Sequence, residues 1–385
     1  MSWIVKVGKK MDFMLEISFR LILTMLFAFL ITPLIKKLAC VIGAVDEPNA
    51  RRINTKPMPT AGGLAIYITF SLSILFLFDD IIPTSYALHL VIPSGIIVIT
   101  GLIDDIFEIT PRQKMIGILI AALYVCFVFD IVMHSITLPY FGTVNFGWFS
   151  YPITILWVAG LTNAINLIDG LDGLASGVSI IALTTIGIIG YIGASTGAVN
   201  IVVPLSIFIL LMSTLGFFPF NFYPAKIYLG DTGALFLGFL ISLLSLQGLK
   251  NATFISLITP LIILGVPLTD TVFAMVRRLL NKKPISSADK MHLHHRLLSL
   301  GFTHRGAVIM IYCMALIFSL ISFLYLFTNT WGTVFLTIAS LLGLQLFIEL
   351  IELSGENRQP LLHTLKFIGN KAYRRRKLDE RKKKD

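Results

Sequence analysis

"YPITILWVAGLTNAINLIDGLDGLASGVSIIALTTIGIIGYIG", residues 151–193, is two apolar runs joined by the polar hinge "NLIDGLDG", 166–173. An α-helix needs about 20 apolar residues to cross the hydrocarbon of a bilayer. The runs therefore read as consecutive transmembrane helices. Their connecting turn carries Asn166, Asp169 and Asp172 with Gly170 and Gly173, residue types that suit chemistry better than lipid.

The rest of the chain repeats the pattern. With 385 residues, 56% of them apolar, 14% charged and a mean hydropathy of +0.85, an ordinary soluble globular protein is excluded and an all-α polytopic membrane protein is indicated. Eleven spans are expected, at 15–36, 62–82, 88–103, 112–131, 150–167, 173–193, 200–220, 232–249, 254–276, 306–328 and 332–352. Residues 1–355 then form one membrane domain, and 356–385 a basic tail. No small-residue cleavage site follows the first run, so it reads as a helix and not as a secretory signal. Cys40, Cys126 and Cys313 lack metal spacing and predict neither a disulfide framework nor a zinc site.

Orientation follows from charge. Of the 31 Lys and Arg, all but Lys6, Lys9, Lys10, Arg20 and Lys250 fall on one set of connections and the tail. The positive-inside rule makes that set cytoplasmic, with the N-terminus outside. The tail "KAYRRRKLDERKKK" beside a last helix suits anionic headgroups better than nucleic acid. On the opposite side, "HSITLPYFGTVNFGWF", 134–149, has the aromatic and β-branched content of a short external hairpin. No internal repeat of the kind many transporters carry is visible.

Five polar stretches suited to chemistry fall on the basic side: Asp104 and Asp105 in "GLIDD", Asn166, Asp169 and Asp172, Asn221 and Asp231 in "FNFYPAKIYLGDTG", the histidines of "DKMHLHHR", and the basic "RRINTKPMPTAGG". An aspartate exposed to lipid at a helix centre costs about 2.5–3.5 kcal/mol. Taken singly, each acid is as ordinary as a loop residue or a helix cap; together, five of them need a hydrated cavity at the membrane surface.

Carboxylates and amide oxygens in one cleft suit a hard divalent cation, and Mg²⁺ usually takes one or two carboxylates plus substrate phosphates. Arg51, Lys56, Lys114, Lys226, Lys290 and Arg296 are cations suited to phosphate, although each also serves the positive-inside bias. No GxxxxGK loop is present, which argues against an ATPase or kinase. Tyr223 and Tyr228 are candidates for stacking a base or for ordinary interfacial anchoring. His292, His294 and His295 leave zinc binding and phosphate recognition both open, with the surrounding cations favouring phosphate.

The stretches "RRINTKPMPTAGGLAIY", "GLIDD", "NAINLIDGLDGLASG", "FNFYPAKIYLGDTGALFLG" and "DKMHLHHRLLSLGFTHR", in that order, resemble the polyprenyl-phosphate N-acetylhexosamine-1-phosphate transferases. The resemblance covers nearly the whole chain. It implies Mg²⁺-dependent transfer of a sugar 1-phosphate from a UDP-sugar to a polyprenyl phosphate in a bacterial inner membrane, with release of UMP. It further implies Asp231 and Asn166 as metal ligands, and Asp104 and Asp105 beside the attacking lipid phosphate. Asp172 and Asn221 would help hold the uridine, with Tyr228 stacking on uracil, and Asp169 would be a further substrate-binding residue. His292, His294, His295 and Arg296 would bind the phosphate next to the sugar, with Lys56 and Lys114 in support.

The muramoyl-pentapeptide branch of that family resembles a run of three histidines, whereas here Leu293 interrupts the run. That departure, with "GAVDEPNARRIN", points to the UDP-N-acetylglucosamine branch and to enzymes that begin teichoic acid, O-antigen or related surface polysaccharides. A homodimer is compatible with this reading. The rival from another class is an ion or metal transporter, whose acids belong nearer the bilayer midplane.

Overall fold

The computed structural model describes residues 2–47, 57–138, 142–247, 261–262, 264–280 and 293–350. Its helices are α1 (Ser2–Ile42), α2 (Gly63–Leu72) running into a π-helical turn (Ser73–Leu77), α3 (Thr84–Phe107), α4 (Pro111–Phe127), α5 (Ser150–Ile168) and α6 (Leu174–Ser195). They are followed by α7 (Val202–Asn221), α8 (Gly230–Gln247), α9 (Gly265–Leu280), α10 (Leu293–Ser299), α11 (His304–Tyr325) and α12 (Thr330–Leu350). Two short antiparallel pairs complete the fold: β1 (Val45–Asp46) with β2 (Met58–Pro59), and β3 (Ser135–Leu138) with β4 (Gly142–Asn145). The latter lies in the stretch expected to form a hairpin.

Among the described residues eight helices are long and apolar enough to cross a membrane, and the chain is a multi-pass membrane protein. Three of the eleven expected spans differ. The one at 62–82 stops at Leu77, the one at 112–131 is only 17 residues long, and the one at 254–276 lies partly outside the described residues. Seventeen residues reach about 25 Å, short of the roughly 30 Å hydrocarbon thickness.

Many helical hydroxyls are satisfied within their own helix. Thr32, Ser94, Thr162, Ser206, Ser213 and Thr214 each donate to the carbonyl four residues back, which removes a hydroxyl from the apolar medium without a second helix. Arg20, a charge inside α1, is satisfied by Glu16, by the Leu77 carbonyl at 2.9 Å and by Asp80, tying α1 to the turn after the π-helical segment.

Helix α8 is the axis of the bundle. Its apolar window is 83% buried, against 17% for α1 and for the last span, and it packs on α2, α3, α5 and α6. Small residues permit this closeness: a Cβ built on Gly63 would lie 2.0 Å from the Gly233 Cα, and one on Gly101 2.5 Å from the Thr232 Cα. Phe236 of α8 then fills the space beside Tyr67 and Phe70 in edge-to-face contacts, a geometry that aromatic quadrupoles favour.

The loop entering α2 is zipped to the loop entering α8. Tyr228 N–H donates to the Pro59 carbonyl, and Gly62 and Gly63 N–H donate to the Tyr228 and Leu229 carbonyls, at 2.9–3.0 Å. The sequence-expected polar clusters thereby gather where α3, α5 and α7 end and where α4, α6, α8 and α11 begin.

Candidate active site

Local sequence fixes each contributor. In "TPRQK" Thr110 caps α4 in a capping box with Gln113, and Pro111 occupies the first turn, where its missing N–H costs nothing. Glu108, in the left-handed region at φ 49°, turns the chain between α3 and α4. The result places Lys114, in the first turns of α4, against the last turn of α3.

Lys114 Nζ lies 2.6 Å from Asp104 Oδ2 and 2.8 Å from Asp231 Oδ2. Asn166, in the last turn of α5, donates through Nδ2 to Asp231 Oδ1. Four residues that the sequence spreads over 128 positions, 104 to 231, thus meet at one point. Asp231 also sits in the first turn of α8, where the helix dipole favours a negative charge.

Asp105 has a different occupation. Its oxygens accept from Asp231 N–H (2.9 Å), Thr232 N–H (3.1 Å), Thr232 Oγ1 (2.5 Å) and Thr60 Oγ1 (3.3 Å). These include two of the backbone donors that the start of any helix leaves without an intrahelical partner. Asp105 therefore caps α8 from α3 and holds Asp231 in place. Gly230, at φ +72°, fits here because a Cβ would come within 2.5 Å of Asp105 Oδ2.

The hinge "NLIDGLDG" supplies a second group. Asp172 Oδ2 accepts from Ala225 N–H at 2.9 Å, and Asp172 N–H donates to His304 Nε2 at 3.0 Å. A ring nitrogen that accepts carries no proton, so the His304 proton sits on Nδ1. Tyr223 lies against the His304 ring with centroids 4.8 Å apart, and the Arg305 guanidinium lies 5.0 Å from the Tyr223 centroid. Asn221, expected to touch nucleotide, is buried and committed to protein: it accepts from Ser176 Oγ (2.6 Å) and donates to the Ile227 carbonyl (3.2 Å). It braces the loop that leads to Tyr228.

Asp169 lies in the same turn. Burial, followed by the negative charges of Asp231, Asp105 and Asp172, pushes its carboxyl well above the usual carboxylate range.

A third group stands on α10, where His295 and Arg296 are half-buried and engaged by protein partners. Lys56, His292, Arg51, Lys290 and the basic tail lie outside the described residues, as does the side chain of His294. Thr60, Thr232, Ser176 and His304 serve the site without having been singled out from sequence. His304 stands in "GFTHR", but nothing local to that stretch marks its partner 132 positions away.

A divalent cation fits the first group. Asp104 and Asp231 face one position, which the Lys114 ammonium occupies, Asn166 stands beside them on Asp231, and with Asp105 the aspartates there outnumber the single lysine. Among the described residues no cluster of three His, Cys, Asp or Glu forms a closed metal cage; Mg²⁺ is usually held by one or two carboxylates plus substrate phosphates.

Residues 87–249 match the sequence profile described as glycosyl transferase family 4. The chain is 41% identical over 350 residues, 90% of its own length and 95% of the relative's, to a probable undecaprenyl-phosphate N-acetylglucosaminyl 1-phosphate transferase of Bacillus subtilis. It is 30% identical to an undecaprenyl-phosphate alpha-N-acetylglucosaminyl 1-phosphate transferase of Escherichia coli, across 77% and 81% of the two chains. It is 29% identical to a decaprenyl-phosphate N-acetylglucosaminephosphotransferase of Mycolicibacterium smegmatis, across 74% and 76%. With its aspartates gathered at helix ends and this similarity running through nearly the whole length, the chain belongs to glycosyl transferase family 4 and is a membrane-embedded transferase.

Proposed function

We propose that the enzyme transfers N-acetylglucosamine 1-phosphate from UDP-N-acetylglucosamine to undecaprenyl phosphate, with Mg²⁺, at the cytoplasmic face of a bacterial inner membrane. The product would begin a lipid-linked surface polysaccharide. The observation that carries this reading is the convergence of Asp104, Lys114, Asn166 and Asp231. The names borne by the three relatives and the interrupted histidine run support N-acetylglucosamine over a muramoyl-pentapeptide donor.

In the reaction a lipid phosphate oxygen attacks the phosphorus bearing the sugar. The bond from that phosphorus to the bridging oxygen breaks, and UMP leaves with the electron pair. Asp231 and Asn166 would hold Mg²⁺, which neutralises donor phosphate charge. Asp104 Oδ2 takes the proton of a monoprotonated lipid phosphate, leaving the dianion to attack. Lys114, released from one carboxylate, offsets the repulsion between the two anionic substrates. Asp105 keeps Asp231 at its station, and Asp172 with Tyr228 borders the nucleotide. His292, His294, His295 and Arg296 take the sugar-proximal phosphate. Direct attack needs no further nucleophile, so a phosphoryl-enzyme is the less favoured route.

The test is UMP release by purified protein in lipid nanodiscs with Mg²⁺. Release that requires both undecaprenyl phosphate and UDP-N-acetylglucosamine supports the assignment. Release only with a UDP-muramoyl-pentapeptide would reassign the donor, and cation flux without UMP would favour a transporter.

A further inference from the structure

Asp270 lies in the middle of α9, 1% exposed, where a carboxylate is costly unless it has specific partners. Its Oδ1 accepts from Leu293 N–H at 3.0 Å, and Leu293 is the first residue of α10. That helix is seven residues long, too short to persist on its own, and it packs on α11. Leu293 and Leu297, one turn apart, are 4% and 1% exposed. They pin one face of α10 in the core, and His294, His295 and Arg296 fall between them in sequence. Apolar pins fix the roll of a helix but leave it free to fray or shift along its axis. A buried anion bonded to its first N–H removes that freedom, and the helix dipole favours the sign of the charge.

We propose that Asp270 is the positioning residue of the histidine motif, holding the start of α10 so that His294, His295 and Arg296 meet the substrate phosphate. This rests on the phosphate-binding role given to the motif under the proposed function. Asp270 itself does not touch substrate.

The test compares Asp270→Asn, which keeps an acceptor oxygen, with Asp270→Ala in the full-length protein in nanodiscs. Two quantities are read: hydrogen exchange of the peptide spanning 293–299, and kcat and KM for UMP release. In Asp270→Ala, exchange at 293–299 should quicken and kcat should fall about 10- to 100-fold, with a smaller change in KM. Asp270→Asn should stay within about 3-fold of wild type in both. Should Asp270→Ala not fold, Asp270→Ser, too short to reach Leu293, takes its place. Unchanged exchange in the truncated variant overturns the inference. So does faster exchange with wild-type turnover, or an Asn variant as impaired as the Ala variant. A wild-type protein silent in the UMP assay would refute the proposed function by itself, and exchange at 293–299 would still decide whether Asp270 holds the helix.

Discussion

Asp169 illustrates how a single side chain records the site's electrostatics. Its carboxyl titrates above the ordinary range because burial and three neighbouring aspartates oppose its charge. The folded state therefore binds a proton that the unfolded state releases near pH 4. The contribution of Asp169 to stability is greatest below that pH and is lost as pH rises towards the raised folded value. In Mg²⁺-free protein, Asp169→Asn should flatten the decline of Tm as pH rises above about 4; a decline as steep as wild type would show that Asp169 is not the group responsible. That Asp104 and Asp231 gather at one end of the bundle was legible from their residue type and their place at helix ends. The bonding of Asn221 to Ser176 and Ile227 was not, because an amide in a polar loop has no local signature for its partners.

At the scale of elements, the site is made by helix termini joined across sequence. The bond set between the end of α3 and the start of α8 is the clearest case, since Asp105 satisfies Asp231 N–H, Thr232 N–H and two hydroxyls. Leaving buried donors without an acceptor costs about 1–3 kcal/mol. Asp105→Ala should accordingly lower Tm and also raise the Mg²⁺ concentration needed for half-maximal turnover, because Asp231 loses its anchor. Lost activity with unchanged Tm would instead make Asp105 a residue that acts on substrate. The start of α4 could be read directly from "TPRQK", whose cap, proline and glutamine act within one turn. The grip of Asp105 on α8 could not, since it joins residues 126 positions apart and depends on Gly63 and Gly101 letting their helices reach the α8 backbone.

Over the whole molecule, hydropathy identified a membrane bundle because composition reports burial in lipid whatever the packing. It separated the elements less well: α4 is too short for a full span, and α2 runs through a π-helical turn into a loop at Leu77. A buried axial helix, α8, presents Asp231 at one end of the bundle, and neighbouring helices bring Asp104, Lys114 and Asn166 to it. The central claim is that this convergence holds the cation on which sugar phosphate transfer depends. UMP release from wild type and Asp231→Ala, measured across Mg²⁺ concentrations with both substrates saturating, tests it most directly. Wild-type release should vanish on chelation and saturate as Mg²⁺ returns, while folded Asp231→Ala should stay more than about 100-fold slower at every concentration. An Asp231→Ala enzyme that turns over like wild type at ordinary Mg²⁺ would contradict the account.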